Sequence, residues 1–193
     1  TLETVRVHSR DPERRRTFAE TMSRRLGLDV QAVDSAEAVV EGADIVSTAT
    51  TSGEPLFDGQ LLATGSHLNI IGSNHLSKSE SDVESIEGAD LVACDRIDQC
   101  RIEAGELAAA SETGDWKWGD AIELADIVAG TRPGRTDDTQ RTVFKSVGLA
   151  IEDVAMAAEL IARETDFIHK VDPFLTLEGL RLIHEQNENL DGQ

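Results

Sequence analysis

The chain has 193 residues, of which 39% are hydrophobic and 28% charged, and it carries a net charge of −19. That length suits one α/β domain with a good-sized core, and that composition excludes a disordered chain. So strong an acidity opposes a nucleic-acid partner, and no apolar run reaches the ~18 residues of a membrane helix.

Lysine occurs only at Lys78, Lys117, Lys145 and Lys170, and the acids are spread through polar stretches such as residues 79–84. This spread fits a surface adapted to high salt, where dense carboxylates hold water and resist salting-out. An ordinary acidic cytoplasmic protein is the plainer alternative. Cys94 and Cys100 match no metal or redox spacing. They read as idle thiols in a reducing cytoplasm, with no metal site. The start at Thr1, without Met and without a basic-then-apolar leader, reads as a piece of a longer protein.

Residues 4–9 alternate and are rich in β-branched side chains, which predicts a strand. Asp11 and Pro12 read as a helix cap and a first-turn proline, followed by an apolar face of Phe18, Met22 and Leu26 and a stop at Gly27. A short strand over 29–33 leads to a small helix capped by Ser35 and ending near Gly42. Residues 44–49 are a continuous apolar run, as in a strand covered on both faces. A brief helical link at Leu61 and Leu62 precedes a strand over 67–72, a short helix over 80–87 and a strand over 90–94. Residues 96–130, including 121–125, read as mostly helical, with Trp116 and Trp118 as core or interface anchors. Residues 142–147 are the last strand, and 149–164 the strongest helix, with Ile151, Val154, Ala155, Ala158 and Ile161 on its apolar face. Residues 187–193 are a polar, fraying end.

Short strands alternating with helices imply parallel βαβ units, and ligands of such sheets sit at the carboxyl ends of the strands. The candidate site residues are therefore Ser9 and Arg10; Ala49, Thr50 and Thr51; Gly72, Ser73 and Asn74; and Ser146, Val147 and Gly148. Where an NAD-binding strand ends in Asp or Glu to bind a ribose hydroxyl, this one ends in Ser9 and Arg10, which suit a 2′-phosphate. NADP(H) is thus expected over NAD(H). The alternative is that Arg10 and Arg14 to Arg16 merely decorate a helix start. His75 reads more readily as a surface or hydrogen-bonding residue than as a catalyst, and Lys78 and Asp153 can each be solvated or structural.

Three runs occur here in order: GADIVSTATTS followed by Glu54-Pro55, H-x-NIIGSN followed by Glu80-Ser81-Asp82, and VFKSVGLAIED. Together they resemble the ornithine cyclodeaminase/mu-crystallin family, over roughly residues 4 to 165. The resemblance implies an α/β, Rossmann-like fold: a mostly parallel sheet with helices on both faces, lacking the usual first strand. Residues 1–165 would be a partial NAD(P)-binding domain and 166–193 a carboxy-terminal helical extension or tail. It further implies an NAD(P)H-dependent oxidoreductase acting on the C=N or C–N bond of a small amino or imino acid, as ketimine reductases and amino-acid dehydrogenases do, and a homodimer in the complete protein. The family's glycine-rich loop, its substrate-carboxylate Arg and Lys, and its dimerisation domain lie upstream of where this chain begins. Cyclodeaminases carry an Asp two residues after the glycine of the second run, where this chain has Asn74. An amide is no general acid or base near neutral pH, which counts against conversion of ornithine to proline. A non-catalytic, crystallin-like nucleotide-binding protein is the remaining alternative.

Overall fold

The computed structural model describes residues 2–113, 115–150, 153, 154, 156 and 157. Its first compact unit is Thr1–Val147, and a second begins at Gly148. The first unit holds β1 (Thr4–Val7), α1 (Pro12–Leu26), β2 (Asp29–Ala32), α2 (Glu37–Val40), β3 (Ile45–Thr48), β4 (His67–Ile70), α3 (Val83–Glu87), β5 (Leu91–Cys94), α4 (Ile97–Glu103), α5 (Gly105–Thr113), β6 (Ala121–Glu123), α6 (Leu124–Val128) and β7 (Thr142–Lys145).

All strand pairs are parallel, but they form two sheets: β1-β2, and β3-β4-β7-β5-β6. β7, the last of the described strands, enters between β4 and β5, so Lys145 lies beside both Ile70 and Cys94. Against this sheet pack Ile86 of α3 and Leu107 and Ala110 of α5, each wholly buried, with Phe57, Leu62 and Trp116 completing the cluster. Each such Leu or Ile contributes on the order of 1.5–3 kcal/mol by leaving water.

Helix α1 starts and stops as its sequence dictates. The Asp11 side chain accepts from the backbone N–H groups of Glu13 and Arg14, Pro12 fills the first turn, and Gly27 closes the helix at φ 66°. Ser35 does bond the Ala38 N–H, at 3.2 Å. Three expectations are corrected. Phe18 and Leu26 do not face a core: they are 50% and 57% exposed, because α1 lies on a sheet of only two strands and buries little beyond Ala19. The run at β3 is not covered on both faces, for Ile45 and Ser47 are exposed while Val46 and Thr48 are buried. That alternation marks an edge strand with one packed face. Residues 121–123 are a strand and not a helix. Ile122 and its neighbours extend the sheet beyond β5, and the Glu123 carboxylate accepts the Ile97 N–H at 3.0 Å.

Trp116 is buried and meets Trp118 edge-on with centroids 5.2 Å apart, while Arg101 lies over the Trp118 ring. Cys94 and Cys100 are buried free thiols, and Cys100 is pushed well above the ordinary thiol range by its contact with Cys94 and by burial. Most of the helix expected over 149–164, and the tail 187–193, lie outside the described residues.

Candidate nucleotide site

Among the described residues, strands β1 and β3 each pair on one side only, and residues of both line a common cleft of about 1050 Å³. Arg6 and Val7 line it from β1, Phe18 from α1, and Val46, Ser47 and Thr48 from β3. At its carboxyl-terminal end stand five of the expected residues: Ser9, Arg10, Ala49, Thr50 and Thr51. The cleft wall near β1 is basic. Arg10 and Arg14 are exposed there, whereas Arg15 donates to the Asp34 carboxylate and to the Ser9 carbonyl, the latter at 3.1 Å. Arg6 is tied to the Ala38 carbonyl at 2.8 Å. Of the basic groups at this end, Arg10 is thus well placed to meet an anion from solvent, beside the Ser9 hydroxyl.

The other expected residues do not line this cleft. Ser73, Ser146 and Val147 are buried, at 1%, 8% and 7% exposure, and Asn74 is exposed on the loop after β4. Gly148 has φ 89° and opens the second unit. His75 is exposed, and its Nδ1 engages the Ser77 hydroxyl at 2.8 Å within its own turn.

Beneath these loops lie buried charged groups that the sequence reading did not single out. Glu80 accepts from the Thr50 N–H at 2.5 Å, the Gly72 N–H at 2.6 Å and the Thr48 hydroxyl at 2.9 Å. Lys145 donates to the Ser73 carbonyl at 2.5 Å and to its hydroxyl at 2.7 Å, and pairs with Glu106 at 3.0 Å. Ser73 in turn donates to Glu106 at 2.6 Å. Asp95 accepts from the Ser146 hydroxyl at 2.9 Å and the Val147 N–H at 2.8 Å. Each loop at the carboxyl end of β3, β4 and β7 is therefore anchored from below. The stretch 79–84, read as solvated surface, is corrected here. Glu80 and Ser81 are wholly buried, and Asp82 caps α3 by accepting from the Ser85 N–H. A lysine inside the apolar run of β7 was the available signal for Lys145, since an unpaired charge cannot be sunk in a core. Glu80 gave no such signal, because polar neighbours surround it in sequence.

A parallel sheet with a cleft outside its strand ends defines a Rossmann-like nucleotide-binding architecture. The model of the ornithine cyclodeaminase/mu-crystallin family matches residues 1–165, and the chain belongs to that family. It is 35% identical over 164 residues to Protein SAR DEFICIENT 4 of Arabidopsis thaliana, covering 83% of this chain and 50% of that protein. It is 31% identical to the Delta(1)-pyrroline-2-carboxylate reductase of Bacillus cereus, covering 86% of this chain and 51% of the reductase. Among solved structures, the Delta(1)-pyrroline-2-carboxylate reductase of Thermococcus litoralis in complex with NADH and L-proline superposes with a TM-score of 0.76 at 36% identity, over 84% of this chain and 51% of that one. The chain thus spans about half the length of the relatives it matches.

Proposed function

We propose that this chain supplies the cofactor-binding half of an NAD(P)H-dependent reductase of small cyclic or acyclic imino acids. The observation that carries the reading is the cleft itself. Ser9 and Arg10 stand at the end of β1 and Ala49, Thr50 and Thr51 at the end of β3, around a space of dinucleotide size. The relatives support it, one solved with NADH and L-proline. Residues 1–165 form the cofactor domain and 166–193 a carboxy-terminal extension. A further parallel strand between β1 and β3 would pair their free edges, which otherwise expose unpaired backbone groups, and would bring the phosphate-binding turn to the same cleft.

When bound, the nicotinamide supplies the hydride exchanged with the α-carbon of the imino or amino acid. The chain's own residues bind and orient. Arg10, with the Ser9 hydroxyl, takes a ribose 2′-phosphate, which favours NADP(H) over NAD(H). Thr50 and Thr51 line the middle of the cofactor. The loops of Gly72 and Ser73 and of Ser146 and Val147 would border the nicotinamide end, and Asn74 would hydrogen-bond the substrate nitrogen. The Asn74 amide is neither a general acid nor a general base near neutral pH, so reduction is favoured over deaminative cyclisation. The complete protein is a homodimer of the cytoplasm with a salt-adapted surface. The test is Arg10→Glu, assayed for NADPH and NADH affinity. A loss of at least about tenfold for NADPH with little change for NADH is expected, the order of one charge-assisted phosphate contact. Equal affinities before and after remove Arg10 from the cofactor site.

A further inference from the structure

We infer that Glu80, which belongs to neither cofactor loop, is the positioning residue that sets the spacing between them. The inference rests on the reading of those loops as the nucleotide site. Strands β3 and β4 run side by side, and their ladder ends where the Ile71 N–H reaches the Thr48 carbonyl at 3.0 Å. Beyond that bond one chain turns towards the cleft through Ala49, Thr50 and Thr51, and the other turns through Gly72 to Ser73. Among the described residues, the hydrogen-bonded link across this divergence is a single carboxylate. Oε1 accepts the Thr50 N–H, and Oε2 accepts both the Gly72 N–H and the Thr48 hydroxyl.

The geometry is demanding in three ways. Glu80 is wholly buried, and none of the ion pairs among the described residues involves it, so its charge is balanced by the N–H and O–H dipoles aimed at it. Its backbone is fixed as well, since its carbonyl accepts the Leu56 N–H at 3.0 Å. Position 72 must be glycine for the approach to occur: a Cβ there would overlap the Thr50 backbone and the Glu80 carboxylate itself. The carboxylate therefore acts as a spacer between the two loops. A neutral amide of the same shape turns an N–H₂ towards one of the two backbone donors and loses that bond.

The experiment is amide hydrogen exchange on the full chain, read residue by residue by NMR, for the unsubstituted protein and for Glu80→Gln. Exchange at Thr50 and Gly72 is expected to rise about tenfold or more, the effect of one lost charge-assisted bond, while Ile70 and Val143 in the sheet keep their protection. The affinity for NADPH is expected to fall about as much. Unchanged exchange at Thr50 and Gly72 overturns the inference, as does altered exchange there with unaltered NADPH affinity. Should Glu80→Gln fail to fold, Thr48→Val removes one of the three donors and leaves the carboxylate in place. Its smaller, several-fold rise at the same two amides, reversed by Thr48→Ser, supports the spacer, and no rise overturns it. A chain that binds no dinucleotide at all refutes the cofactor reading, and the exchange pattern then still decides whether Glu80 holds the loops.

Discussion

Replacing Lys145 with Met removes the cation at the centre of the buried cluster and leaves its partners where they are. Lys145 and Glu106 are 0% exposed at their side chains and 3.0 Å apart. At an effective dielectric of about 20, a pair at that distance attracts by roughly 5–6 kcal/mol, most of it offset by the cost of drying both charges. The substitution keeps that cost for Glu106, whose Oε2 already has no hydrogen-bond partner, and orphans the Ser73 carbonyl. The expected loss is therefore about 3–5 kcal/mol, the size found when one member of a buried pair is removed. The double substitution Lys145→Met, Glu106→Leu removes both charges and should recover most of that loss, to within about 1–2 kcal/mol of the original chain. Urea unfolding at neutral pH measures both. A single variant within about 1 kcal/mol of the original, or a double variant less stable than the single, refutes the reasoning.

Other perturbations have defined outcomes. Gly27→Ala places a Cβ at φ 66° and should cost about 1 kcal/mol in the same unfolding assay, whereas Ala in place of Gly53, with a negative φ and open space around it, should cost less. Gly72→Ala forces the Thr50 loop away from β4 and should weaken NADPH binding more than it lowers the melting temperature, as a thermal-shift series with and without NADPH would reveal. The Asp11 carboxyl is held below its ordinary range chiefly by the Arg14 N–H. Its contribution is present above about pH 4 and is lost as the pH falls through the lowered value, so Asp11→Asn should flatten the acid limb of the stability curve. With a net charge of −19, the melting temperature should climb as KCl is raised from about 0.1 to 2 M, once screening relieves the self-repulsion; a falling value would remove the salt-adapted reading of the surface.

The parallel α/β order was legible because its signals are local. Asp11-Pro12 and Gly27 bracket α1 by their own backbone preferences, and the β-branched and apolar residues of β1, β4 and β7 each fill a strand. What escaped depends on neighbours far along the chain. Residues 121–123 have helix-forming composition, and only the open edge of β5 makes them a strand. Phe18 and Ile45 looked like core because their spacing is right, yet Phe18 borders a cleft between two sheets and Ile45 is exposed on the edge strand β3. The cleft residues Ser9, Arg10 and Ala49 to Thr51 could be named from the rule that ligands meet strand ends. Glu80 and Glu106 could not, because burial of a carboxylate is decided by donors 8 to 39 residues away, from Gly72 to Glu80 and from Lys145 to Glu106.

The most direct measurement is a titration of the protein with NADPH, followed at individual backbone amides by NMR. Saturable shifts centred on Ser9, Arg10, Ala49, Thr50 and Thr51, extending to Gly72 and Ser73, are expected if the cleft between β1 and β3 holds the cofactor. Shifts confined to some other surface, or none up to millimolar NADPH, would contradict it.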